Sequence, residues 1–371
     1  MASLNGSCGL QRKDFQKEIG GKQTDLFILK NDAGLEVAIT NYGGGLCAIM
    51  VPDKDGKVAN VVQGHDNIQS LIDSPEPFLS TLVGRYGNRI RNGRFTLDGT
   101  TYQLATNGGG GNHLHGGPTG FHARVWDAKQ INDHSLCLRY ISADGEEGFP
   151  GYLTMNVMYT WTNDCELIID YEGTTDKKTI VNMTSHGFFS LSGLGNPTPD
   201  ATNAICTINA DFFAPMDNVS VPTGEIRSVH GTPFDFTTPH VVSERIEADD
   251  EQIKNGAGYD HCFILKKKQP GEFSFAARIV EPRSGRTMEV YTTEPGVQFY
   301  SDNWATGFAG SHGSTFPRRS ALCFEAQHIP DSPNNAHFPS VVLEPGQVYR
   351  QKTMYKFGVD NGARSCGCKK C

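Results

Sequence analysis

Runs in which apolar and polar residues alternate recur along the chain, and residues 152–161, "YLTMNVMYTW", show the pattern cleanly. Leu153, Met155, Val157, Tyr159 and Trp161 stand two residues apart, so on an extended strand all five project from one face. Similar runs recur at "LEVAIT" (35–40), "LCAIMV" (46–51), "SLCLRYIS" (135–142), "CELIIDYE" (165–172), "AICTINADFF" (204–213), "ALCFEAQ" (321–327) and "VYRQKTMYKF" (348–357). Two hairpins are also legible. "FSFAARIV" and "TMEVYTTE" flank the glycine-containing loop "EPRSGR", and "RFTLDGTTYQL" carries an Asp-Gly turn. Only "NIQSLIDS" (67–74) and "SERIEADDEQI" (243–253) read as short helices. Many strands joined by turns predict an all-β protein, a large antiparallel sandwich. No linker or shift in composition divides the chain, so its strands are expected to form two packed sheets of one domain.

Composition narrows the function classes. The formal charge is -8 over 371 residues, with acidic and basic residues interspersed, which argues against a nucleic-acid surface. "KKK" at 266–268 reads as solvated surface. No apolar run approaches the roughly 18 residues of a membrane span, and the N-terminus lacks an apolar signal core, so a cytoplasmic protein is expected. Cys8, Cys47, Cys137, Cys165, Cys206, Cys262 and Cys323 are scattered, several within apolar runs, and read as reduced thiols. Cys366, Cys368 and Cys371 cluster in "SCGCKKC", which reads as a flexible tail. No P-loop or G-x-G-x-x-G stretch follows a strand, so neither phosphate nor dinucleotide cofactors are expected.

The candidate chemistry lies in a few polar residues set among apolar ones. In "NHLHGG" (112–117), His113 and His115 would share a face of a strand, as metal-binding pairs do. The pair could equally be packed, or His115 alone could be functional, since Gly116 and Gly117 free the backbone beside it. His186 ends the run "VNMTS" beside a glycine, where an imidazole can donate or accept a proton near neutrality. Glu325 interrupts the apolar "ALCFEAQ", and a carboxylate so placed must be paired, hydrogen-bonded or raised in pKa. Asp260 in "YDHCF" and Gln298 in "PGVQFYSDNW" mix polar groups with aromatics, as a sugar pocket requires. Asn88 and Arg89 in "VGRYGNRIRNGRF" could hold oxygen atoms.

Taken together and in order, these stretches resemble the aldose 1-epimerase, or galactose mutarotase, family. The matching segments are "NYGGGLCAIMVPDKDG", "VGRYGNRIRNGRF", "NHLHGG", "GEEGFPG", "VNMTSHGFFSLSG", "YDHCF", "PGVQFYSDNW" and "CFEAQHIPDSPN". The resemblance implies a β-supersandwich spanning residues 25–360, with 1–24 as an N-terminal extension and 361–371 as a tail. It also implies an enzyme that interconverts the anomers of free aldohexoses without cofactor or metal. On that resemblance Glu325 falls on the base, His186 on the acid, and His115 on a group that positions or polarises the anomeric region. Asn88, Arg89, Asp260 and Gln298 fall on positions that bind sugar hydroxyls; His113 matches none. The implied partner is a monosaccharide, and the implied state is a monomer or weak homodimer. Gly87, Ser185 and Gly187 depart from the family pattern. Three rivals stand beside this reading: a non-catalytic sugar sensor, a metal enzyme built on His113 and His115, and a glycoside hydrolase with two carboxylates.

Overall fold

A computed structural model of the chain describes residues 6–360. Nine strands form the larger sheet. Across it run Asp127–Asn132, Ser135–Ser142, Leu153–Trp161, Glu166–Thr175, Tyr349–Val359, Arg286–Thr292, Ser274–Val280, Ile205–Ile208 and His240–Val241, all paired antiparallel. In Leu153–Trp161 the five alternate apolar side chains are fully buried while the intervening Thr154, Asn156, Met158 and Thr160 remain half-exposed. The period-two pattern thus faces the core, and the Trp161 indole N–H is satisfied there by the Leu35 carbonyl at 3.0 Å.

A five-stranded sheet carries Arg227–Ser228, Ala210–Ala214, Asp260–Leu265, Gly296–Tyr300 and Cys323–Gln327 in that order. A four-stranded sheet is built from Leu26–Lys30, Glu36–Thr40, Leu46–Pro52 and Val58–Asn60. One apolar cluster draws on all three sheets: Val157 and Trp161, Val37 and Ile49, and Phe263, Phe299 and Phe324 belong to it. Burial of this shared interior is what holds the sheets face to face.

The structure departs from the sequence pattern in three places. "AICTINADFF" is two strands, not one: Ile205–Ile208 lies in the nine-stranded sheet and Ala210–Ala214 in the five-stranded one. Asn209 makes the corner, donating its amide to the Ala276 carbonyl and its side chain to Phe275. "SERIEADDEQI" is not one helix: a helix spans only Glu251–Gly256, because Asp250 caps it by accepting from the Gln252 and Ile253 amides. Lys267 is not free surface; its ammonium donates to Glu272 and Thr292 carbonyls and to Ser274, and burial lowers its pKa to about 8.

Ahead of residue 25, Phe15 is fully buried and Cys8 nearly so, packed with Leu26, Ala38, Cys47 and Ala48. Residues 8–15 therefore dock on the four-stranded sheet. Cys8, Cys47, Cys137, Cys165, Cys206, Cys262 and Cys323 are all unpaired. Cys366, Cys368 and Cys371 lie outside the described residues. No helix among the described residues is long and apolar enough to cross a membrane.

Candidate active site

The five-stranded sheet sorts its residues by register. Phe263, Phe299 and Phe324 point into the apolar core, where Phe299 and Phe324 stack at 5.0 Å. The opposite pleat collects the polar set: Glu325 pairs across with Gln298, Gln298 with Cys262, and Asp260 with Tyr300. Strand alternation therefore explains how one carboxylate stands in an apolar-looking run without breaking it; it occupies the face that is not core.

Two further loops bring in the histidines. His186 follows Thr184–Ser185, which pairs with Leu82–Val83, and its amide is held by the Thr81 carbonyl at 2.9 Å. Its ring stacks on Phe188 with centroids 4.8 Å apart. His115 and Asn88 clasp one another: the His115 amide donates to the Asn88 carbonyl at 3.1 Å, and the Asn88 amide donates to His115 Nδ1 at 3.1 Å. Both residues take left-handed backbone conformations, φ 51° for His115 and 64° for Asn88. The strand consequently ends at Leu114, so His113 and His115 do not share a face. His113 turns away, held by the Ala105 carbonyl at 2.8 Å and packed on Phe149.

Glu325 and His186 meet, with Oε1 3.5 Å from Nε2, and are 2% and 7% exposed at their side chains. The rings of His115 and His186 lie 5.2 Å apart. Glu325 Oε2 and His186 Nδ1 have no protein partner. Asp260 accepts from Gln298 Nε2 at 2.8 Å and lies 3.9 Å from Arg89 Nη1. Asn88, Arg89, His115, His186, Asp260 and Glu325 line one cavity of about 190 Å³, while Gln298 stands behind Asp260. That volume lies below the roughly 300–1,000 Å³ of drug-sized pockets and suits a small ligand. Larger clefts of about 640 and 430 Å³ lie elsewhere, outside Asn156 and Lys352 and beside His328, away from this cluster.

Burial sets the protonation states. It holds the Glu325 carboxyl well above its usual range, with Asp260 adding to the shift and Arg89 opposing it. The same cause lowers His186 to about 4 and holds His115 well below its usual value, the latter aided by His186 and Arg89. Asp260 is also raised by burial, against the pull of Arg89 and the Gln298 hydrogen bond. Burial at the cavity wall thus favours an uncharged Glu325–His186 pair.

Ligand atoms of His115, His186 and Glu325 lie within 4.8 Å of one another, close enough to consider a cation. The tautomer of His115 argues against it. Its Nδ1 accepts the Asn88 amide proton, so Nε2 of the neutral ring carries hydrogen and has no lone pair for a metal. The same tautomer makes Nε2–H a donor.

Sequence reasoning missed Glu76, Phe78, Tyr300 and Trp304, which also line the cavity. "SPEPF" at 74–78 has no periodic signal, and in "PGVQFYSDNW" nothing separates Tyr300 and Trp304 from core aromatics. At Gly187, the Phe189 ring occupies the place of a side chain, 2.6 Å from where a Cβ would stand. Gly116 is more constrained: at φ 82° its Cβ would sit 1.8 Å from the Gly84 carbonyl oxygen. Gly116→Ala is expected to lower stability by about 2–4 kcal/mol and to displace His115; urea unfolding and catalytic rate measure the two effects.

Antiparallel sheets packed on a shared core, with a half-open cleft holding a buried carboxylate and imidazole, define a galactose mutarotase-like β-supersandwich. Residues 25–356 match the family model described as Aldose 1-epimerase. The galactose mutarotase of Bos taurus is 40% identical over 342 residues, covering 92% of this chain and 96% of its own. The aldose 1-epimerase of Escherichia coli is 37% identical over 339 residues, covering 91% and 96%. A solved aldose epimerase homologue from C. elegans superposes with a TM-score of 0.83 at 29% identity, covering 91% of this chain and 100% of its own. The chain belongs to the aldose 1-epimerase family.

Proposed function

We propose that the chain interconverts the α and β anomers of free aldohexoses, galactose and glucose among them, by opening and reclosing the hemiacetal ring. The supporting observation is the buried pair of His186 Nε2 and Glu325 Oε1, 3.5 Å apart at the wall of one cavity. Ring opening removes a proton from O1 and delivers one to the ring oxygen. Both atoms are bonded to C1, so acid and base must converge on one centre. Glu325 takes the O1 proton and His186 protonates the ring oxygen; the C1–O5 bond breaks as the C1 carbonyl forms. Rotation about C1–C2 followed by the reverse steps closes the other anomer. His115 points its Nε2–H at the same region and polarises it. Arg89, Asn88 and Asp260 bind sugar hydroxyls, with Gln298 orienting Asp260 through their 2.8 Å hydrogen bond.

The protonation states fit a relay. Neutral carboxylic acid with neutral imidazole, and carboxylate with imidazolium, hold the same single proton. Passing it from Glu325 to His186 converts the resting pair to the reactive pair without changing net charge. Activity is lost only when the pair gains or loses a proton. The kcat/KM is therefore expected to be level through neutrality and to fall as pH drops toward about 4, where His186 becomes protonated independently of Glu325. A pH series of initial rates checks this.

Polarimetry on freshly dissolved α-galactose tests the function: enzyme should accelerate the relaxation to equilibrium, and a chelator should leave the acceleration intact. Unchanged relaxation with measurable sugar binding would instead make the protein a sensor. We further propose that the reaction unit is residues 25–360, flanked by the extension 1–24 and the tail 361–371. It acts in the cytoplasm as a monomer or weak homodimer, a setting supported by seven unpaired cysteines. Light scattering measures the oligomeric state.

A further inference from the structure

The cavity carries more carboxyl groups than acid–base catalysis on a neutral sugar uses. Glu76, Asp260 and Glu325 line it, against one cation, Arg89, which already lies 3.9 Å from Asp260. Asp302, 3% exposed, stands close behind; its side chain is held by the Ser320 hydroxyl, and neither it nor Glu76 has an ion-pair partner among the described residues. The Glu76 carboxyl group accepts the Phe78 amide, at 3.2 Å. Glu325, 2% exposed and lining the same cavity, also leaves Oε2 without a hydrogen-bond partner, a buried polar atom turned toward a ligand. Burial raises Glu76 and Asp302 each to about 7, the repulsion of Glu76 adding to the shift at Asp302, as expected for carboxylates lacking a counter-charge.

Building on the anomer-interconverting reading above, we propose that Glu76 makes the cavity select aldoses by charge. Aminohexoses, carrying an ammonium group in place of a hydroxyl, are substrates, whereas hexuronates and phosphorylated hexoses are disfavoured. An ammonium supplies three donors and a positive charge to Glu76, a partly buried carboxyl group with no ion-pair partner among the described residues. A carboxylate or phosphate on the sugar would meet Glu76 and Asp260 at the cavity wall, against a single cation there, Arg89, which Asp260 shares at 3.9 Å. Glu76 is then a specificity-determining residue, and it acts on the substituent rather than on the anomeric centre.

The test compares rates of anomer interconversion for 2-amino-2-deoxygalactose, galactose and galacturonate at pH 7 and low salt, in the native protein and in Glu76→Gln. The aminohexose should exceed the hexuronate in kcat/KM by at least about fivefold, and Glu76→Gln should reduce that ratio by at least about threefold. Each ratio is taken within one preparation, so the fraction of active protein cancels. Added salt should narrow the ratio in the native protein as well, which decides the matter should the variant misfold. A ratio unchanged by both the substitution and salt, or a hexuronate turned over as fast as the aminohexose, overturns the proposal. Failure to act on galactose at all strikes the function reading instead.

Discussion

Glu325→Gln is expected to lower kcat about 10²–10⁴-fold, the usual contribution of a positioned base, and at the same time to make the folded protein more stable at alkaline pH. The first effect follows from removing the carboxylate that stands 3.5 Å from His186, the only one so placed among the described residues. The second follows from linkage. Burial raises the folded-state pKa of Glu325 well above 4.5, so the folded chain holds this proton more tightly than the unfolded chain. That stabilisation is complete below the ordinary carboxylate range and is lost as pH rises through the folded-state value. Glutamine does not titrate, so the variant should gain on the native protein as pH climbs, reaching about 1–2 kcal/mol. Urea midpoints at pH 5.5 and pH 8, set beside polarimetric rates, read both effects. A variant with near-normal turnover would remove Glu325 from its role, and one less stable at pH 8 than the native protein would contradict the electrostatic account.

His186→Ala is expected to cost about 10²-fold or more in kcat, because the ring oxygen would have to take its proton from water. Its pH dependence distinguishes a lost acid from a merely disturbed fold. With the imidazole gone there is no relay, and residual activity requires Glu325 to be ionised. The remaining rate should therefore rise with pH through the elevated Glu325 value, in place of the level profile expected of the native protein. Full activity, or a reduced rate with an unaltered profile, would assign His186 to packing against Phe188, with which it stacks at 4.8 Å.

Both experiments address residues that a single sequence could single out for reasons of solvation. A carboxylate in "CFEAQ" is costly unless it has a special environment, and the period-two pattern already implied that Glu325 and Phe324 face opposite ways. The same logic could not grade the histidines. His113 and His115 look alike in "NHLHGG"; what separates them is the left-handed turn at residue 115 and the clasp with Asn88, and both depend on a partner strand distant in the chain. Glu76 carried no signal at all, because its place at the cavity wall is set by the packing of Phe78 against His115 and His122.

Alternation and turn chemistry determined the strand content, the all-β class and the faces of the long strands, because these are local properties that a few consecutive residues fix. Ordered motifs across the chain identified the family. Tertiary structure alone decided where "AICTINADFF" turns from one sheet into another, which histidine faces the cleft, and that carboxylate and imidazole stop 3.5 Å apart. It also decided their protonation, since desolvation depends on everything packed around a group and not on its neighbours along the chain.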